Sequence, residues 1–382
     1  MAVSDAAPTV AGVGMTPFES ETDDRLLDLV ERAALAALAD ADVTPTELDA
    51  VVVGNMAAEA FTDRSGLANA LVDSVGATGA SADRVENTSA SGASAFKRGV
   101  EAVTAGHAER VLVVGGEHMS AVDRERSTEI VGSIVHGTER RHGVTLPSLA
   151  GVATDAYLRE HDADRAALSE VAVKNHGNAA ANPYAQFRTP VTREEVESSP
   201  AVADPLRLYD CCPTSDGAAA VVLAPEGDVR VTGVAGATGT HAVPERQSVL
   251  RVESVAKAGT RALSAAGISP ADVDVACVHD AFTVLELLEL EELGFYGPGA
   301  AWKAVLDGET AVDGTLPVNP GGGLKARGHP LGATGVAQLV ELVWQLRGEA
   351  VGRQATPAYT GLAVNVAGFG NNSICTILEA DT

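Results

Sequence analysis

Ser89 stands in Glu86-Asn87-Thr88-Ser89-Ala90-Ser91-Gly92, a turn of small residues that leads into a long helical pattern. A hydroxyl at such a junction meets the positive end of a helix, where free amides and the dipole favour the anion a nucleophile must become. The same turn also reads as an ordinary N-cap, with Ser89 or Ser91 satisfying a helix end. Further on, GGGLKARGHPLGATG (Gly321 to Gly335) surrounds His329 with six glycines, and Pro330 keeps the chain from continuing as a helix until past the turn. That backbone can approach a ligand closely while pinning an imidazole at a helix start. His279 and Asp280, in Cys277 to Phe282, directly follow a buried strand, at the carboxyl end where α/β active sites form. Asn365 to Asn371 (NVAGFGN) is a glycine-rich turn after another strand, and its backbone amides suit an anion.

The elements that must position these residues are short, β-branched apolar runs: Val51 to Val53, Val111 to Val114, Ala218 to Ala224, Val275 to Val278 and Ala363 to Val366. Runs of this length between amphipathic Ala-rich stretches, such as Asp24 to Ala39, predict buried strands of an α/β fold. The chain also repeats itself. Ala33 to Asn55 aligns with Ala258 to Asp280 at an offset of 225 residues, with Leu38/Leu263, Pro45/Pro270 and Asp49/Asp274 identical. Each unit reads as a helix, an N-cap (Thr44 or Ser269) with Pro at N1, a short acidic turn and a buried strand. A looser correspondence sets the Ser89 turn and its helix against the His329 turn and the helix Val336 to Leu346. The expected division is residues 1–240 and 241–382. An insertion over about 121–203 holds Arg124, Arg126, Arg140 and Arg141, has few strand-like runs, and lies where substrate-contacting loops tend to sit.

Composition narrows the function. The chain has 382 residues, 46% of them hydrophobic, enough for a large core. Its net charge of −25 argues against nucleic acid or an anionic membrane surface as partner. Five of the 27 basic residues are lysine, and an acidic, lysine-poor surface is similar to that of proteins from salt-loving organisms, whose ionic strength screens self-repulsion. Cys211, Cys212, Cys277 and Cys375 match no zinc or disulfide spacing, which fits a reducing, cytoplasmic setting. The opening MAVSDAAPTVAGVG lacks the basic and apolar regions of a secretory signal, and no apolar run approaches membrane-span length.

Five ordered motifs over nearly the whole chain resemble the thiolase superfamily: ENTSASG, VLVVGGEHMS (Val111 to Ser120), DCCPTSDGAAAVVLAP (Asp210 to Pro225), HDAF and GHPLGATG. HDAF is similar to the form in archaeal and sterol-carrier-type members. The resemblance implies a duplicated five-layer αβαβα fold with an inserted loop domain, coenzyme A thioesters as substrates, no metal or other cofactor, and a homodimer or dimer of dimers. It also implies a small OB-fold partner subunit.

Two positions depart from the family pattern. Ser89 stands where a thiolase usually has its nucleophilic Cys. A free thiol ionises near about 8.5, whereas an alcohol needs a base within reach, so Ser89 must lean on His329 and the helix dipole. Its acyl-enzyme would be an oxygen ester, formed downhill from acyl-CoA but with less drive for onward transfer. The second departure is Val364, which aligns with the Cys or His that deprotonates the second acyl-CoA. The following residues look more like the β-ketoacyl synthases, which use a nucleophile and two histidines, so a Ser89–His279–His329 constellation is expected. In that scheme the backbone amides of Ser89, Gly368 and Phe369 hold the oxyanion. His279, oriented by Asp280, or His329 itself removes the α-proton, with Asn365 in support. His118 and His176 read as structural or loop residues. The rival readings are a non-catalytic acyl-CoA-binding subunit, an acyl-CoA hydrolase and a decarboxylating ketoacyl synthase.

Overall fold

The computed structural model describes residues 8–380, so the first seven residues of the opening stretch, and residues 381–382, lie outside the described residues. Eleven strands are present among the described residues. In chain order they are β1 (Thr9–Met15), β2 (Ala50–Gly54), β3 (Ser81–Val85), β4 (Val111–His118), β5 (Ala201–Ala203), β6 (Leu206–Arg207), β7 (Asp216–Ala224), β8 (Val229–Thr238), β9 (Val275–Cys277), β10 (Thr360–Ala367) and β11 (Asn372–Ala380). Nine of them run in the order β3-β2-β4-β7-β1-β8-β11-β10-β9, while β5 and β6 form a separate ribbon. β1 and β8 meet only at Thr9/Arg230 and Val10/Val229, where the two halves of the sheet join. The order β3-β2-β4-β7-β1 is matched in the second half by Val318, bridged to β9, followed by β10, β11 and β8.

The internal repeat therefore has a structural counterpart, and its identical residues have identical tasks. At the turns Pro45–Glu47 and Pro270–Asp272, Thr44 donates its amide and hydroxyl to Glu47, and Ser269 does the same to Asp272. Asp49 accepts from the amides of Glu109 and Arg110, just before β4. Asp274, its counterpart, accepts from Tyr359 and Thr360, at the start of β10. Each carboxylate thus fixes the start of the following strand in its own half.

Three cores separate the layers. Helix Leu26–Asp40 buries Leu26, Leu29, Val30, Ala33, Ala34, Ala37 and Leu38 against the outer face of the first half-sheet. Helices Glu253–Ala266 and Thr283–Glu292 cover the second half-sheet in the same way. Between the half-sheets lie helices Ser91–Thr104 and Thr334–Arg347, packed on each other and on strands of both halves. Lying between the half-sheets, helix Thr334–Arg347 buries twelve of its fourteen residues, among them the polar Thr334, Gln338, Glu341 and Gln345. The insertion forms helices Arg124–Gly132, Leu146–Glu160, Ala166–Ala179 and Arg193–Ser198, lying over the strand ends.

Candidate active site

Both central helices begin at the same place, and each is preceded by one of the singled-out turns. Ahead of Ser91–Thr104, Thr88 takes φ +46 and its amide donates to Glu86 Oε1 at 2.6 Å. Ser91 is the residue that closes the turn: its hydroxyl donates to Thr88 O at 2.6 Å and accepts from the Asn87 amide at 2.9 Å. Ser89 is spared that task. It is 4% exposed, and its hydroxyl hydrogen-bonds to no described residue, the Nε2 of His329 included. Ser91 thus fastens the turn and no side chain caps the helix, which leaves Ser89 free beside the helix N-terminus.

The His329 turn reaches the Ser89 turn because glycine backbones let it. A Cβ on Gly92, in the first turn of helix Ser91–Thr104, would come within 2.4 Å of Gly332 O. His329 donates its amide to Ser215 Oγ at 2.8 Å, and its Nδ1 lies 2.7 Å from Thr334 Oγ1. His279 follows β9, with its amide on Glu289 Oε2 at 2.6 Å and its Nδ1 2.9 Å from Asn365 Nδ2. The two rings meet edge to face, 5.0 Å apart at 86°. Burial drives His279 well below the usual imidazole range, with His329 and Arg327 adding to it. Burial, then the Arg327 charge, push His329 down to about 3. Burial therefore favours the neutral form of both rings.

Ser89, His279, His329 and Gly368 line one cavity of about 900 Å³, together with apolar groups such as Met119, Leu146, Phe282 and Leu331. Gly368, at φ +58, turns its backbone toward it, whereas the Phe369 side chain is buried in the second-half core. Asn365 lies against His279, whereas Asp280 does not orient that ring. Its carboxylate accepts from the amides of Leu324 and Lys325 and from Asn175, so it fixes the short helix Gly323–Arg327 that leads into His329. The aspartate is drawn there because those amides, at a helix start, need an acceptor.

Val364 is fully buried in β10, paired with Cys375 of β11. Burial holds the Cys375 thiol up to about 12, so it takes no proton in place of a missing base. His118 lies 3.9 Å from Asp216 on the edge of a neighbouring cleft, and His176 packs between Phe187 and Tyr209. Three positioning residues escaped the sequence: Glu117, Ser215 and Thr334. A glutamate inside the buried run VLVVGGEH was the one signal available.

The family pattern described as "Thiolase, N-terminal domain" matches residues 9–227, and "Thiolase C-terminal domain-like" matches residues 235–380. The acetyl-CoA acetyltransferase of Methanothermobacter thermautotrophicus is 41% identical over 95% of this chain and 97% of its own. Human sterol carrier protein 2 is 33% identical, over 97% of this chain and 71% of its own. Among solved structures, the Ltp2-ChsH2(DUF35) aldolase superposes with a TM-score of 0.85 at 26% identity, covering 98% of each chain. No described helix is long and apolar enough to cross a membrane.

Proposed function

The chain belongs to the thiolase family, and from that premise we propose that its Claisen chemistry runs through an acyl-serine on Ser89. It is an acyltransferase acting on acyl-CoA thioesters, joining an acyl group to acetyl-CoA to give a 3-ketoacyl-CoA and cleaving the same bond in reverse. The observation that carries the serine is its shared cavity with His279, His329 and Gly368, its hydroxyl unclaimed by any cap.

Ser89 Oγ attacks the acyl-CoA carbonyl while His329 takes its proton. The Ser89 amide and the Gly368–Phe369 turn receive the oxyanion, one such donor being worth about 2.7–4 kcal/mol. An imidazole so reluctant to be charged accepts a proton only as a negative charge forms beside it, so imidazolium and oxyanion arise together in a water-poor site. Collapse expels the CoA thiolate, which leaves with the His329 proton. A carbanion from acetyl-CoA then attacks the acyl-Ser89 carbonyl and releases the product. No metal or further cofactor enters the scheme.

The reading extends to the assembly: a homodimer or dimer of dimers, at high salt in the cytoplasm, with a small OB-fold subunit. A related chain that is named together with a DUF35 protein supports the small partner.

The test is turnover of acetyl-CoA with acetoacetyl-CoA at high salt, with the small partner added. Ser89→Ala abolishes turnover and Ser89→Cys retains it. A fully active Ser89→Ala overturns the assignment. Free CoA without ketoacyl product identifies a hydrolase, no turnover a binding subunit, and strict dependence on malonyl-CoA a decarboxylating synthase. Burial of an aliphatic Val364 at the expected base position is what favours that last alternative.

A further inference from the structure

We propose that His329 is the general base of both half-reactions, and that His279 donates to the thioester oxygen of acetyl-CoA as the α-proton leaves. This rests on the acyl-serine reading and assigns the α-proton transfer within it.

Hydrogen-bond polarity carries the inference. The Thr334 hydroxyl has one proton and gives it to Pro330 O at 2.9 Å. Toward His329 Nδ1, 2.7 Å away, it can only accept. His329 therefore bears its proton on Nδ1, and Nε2 keeps a bare lone pair. At His279 the polarity is opposite. The Asn365 amide nitrogen faces Nδ1 at 2.9 Å and donates to it, which leaves the His279 proton on Nε2. The Asn365 oxygen is turned from the ring toward Gly335 and takes no hydrogen bond of its own. The two neutral rings are thus primed in opposite senses, one to take a proton and one to offer a hydrogen bond.

No other group in the cavity competes. Cys211 and Cys212 line it, but burial holds both thiols up to about 12. Glu21 and Asp123 lie exposed at its mouth, and the Asp123 carboxylate caps helix Arg124–Gly132. The balance closes with one base. In acylation the Oγ–C bond forms, the Ser89 proton passes to His329 Nε2, the C–S bond breaks, and the leaving thiolate takes that proton. His329 is neutral again when acetyl-CoA binds. Its Nε2 then removes the α-proton, the C–C bond forms, the C–Oγ bond breaks, and the Ser89 alkoxide recovers the proton.

The experiment measures two partial reactions in the full chain: the burst of free CoA from acetyl-CoA, and exchange of acetyl methyl hydrogens in D₂O followed by NMR. His329→Asn loses both by about 10²–10⁴-fold. His279→Ala loses exchange, and His279→Asn, which restores a donor but no base, recovers it to within about tenfold of wild type. If His279→Asn exchanges no better than His279→Ala while its CoA burst persists, His279 is the second base and the proposal is overturned. Exchange at the wild-type rate in His329→Asn overturns it equally. A wild-type protein that exchanges but shows no burst sinks the acyl-serine reading on which the proposal depends, a result separable from the other two. Matching thermal melts separate these losses from misfolding.

Discussion

Thr334 decides which nitrogen of His329 faces the cavity, because it can accept from Nδ1 only while its own proton is held by Pro330 O. Thr334→Val removes that acceptor at nearly constant volume and frees the ring to carry its proton on Nε2. We expect kcat to fall about 10–10²-fold with KM for acetyl-CoA unchanged, and Thr334→Ser to restore it, as steady-state kinetics of the pair will read. A drop confined to KM would contradict a tautomer role. At this scale the sequence was legible for reactive groups and not for their supports. Ser89, His279 and His329 stand out by type and by the glycines and strand ends around them. Thr334 and Ser215 carry small polar side chains common in any turn, and only their distances single them out. Asp280 misled because adjacency in sequence to His279 suggested contact, whereas the carboxylate turns away to the Leu324 and Lys325 amides.

Where strands and turns meet, Glu117 at the end of β4 ties the first-half loop to the His329 turn. Its fully buried carboxylate accepts from Asn55 Nδ2 and the Ala57 amide on Oε1, and from the Met56 and Gly332 amides on Oε2. Burial raises its pKa to about 7, against the pull of those four donors. Below that pH the group carries its own proton, which contends with one of the amides. Above it the carboxylate receives all four. The kcat should therefore rise with pH through a midpoint near 7, while neutral His329 contributes no step there. Glu117→Gln keeps one oxygen and points an NH₂ at the remaining donors, so it should lower kcat about tenfold and flatten that rise in a pH–rate profile. A wild-type midpoint that survives in Glu117→Gln assigns the titration elsewhere. The sequence foretold the paired strands β2 and β9 and the turns before them, since Pro45/Pro270 and Asp49/Asp274 repeat with their tasks. It did not single out β1, β3, β8 or β11. β3 (SADRV) is polar because it lies at the sheet edge, and the glycines and polar residues of β8 hide a strand whose register is set by its neighbours β1 and β11.

For the molecule as a whole, the site exists only where two half-sheets and their central helices meet, so its integrity follows the stability of the entire body. That body carries a net charge of −25. Its exposed ion pairs, such as Arg25–Asp28 and Lys257–Glu253, are screened by solvent and cannot offset such an excess. Like charges repel over the Debye length, about 10 Å at 0.1 M salt and about 3 Å at 1 M. Neighbouring surface carboxylates therefore feel one another in dilute buffer and are screened in concentrated salt. The melting temperature should rise steadily as KCl is increased from about 0.1 M to above 1 M, and acyltransfer should rise with it over the range in which the dilute protein is partly unfolded. An equal osmolality of a neutral solute supplies no screening and should reproduce little of that rise. Calorimetric scans across the two series distinguish the causes: a melting temperature flat in KCl removes charge repulsion as the governing term, and an equal rise with the neutral solute assigns the effect to hydration rather than charge.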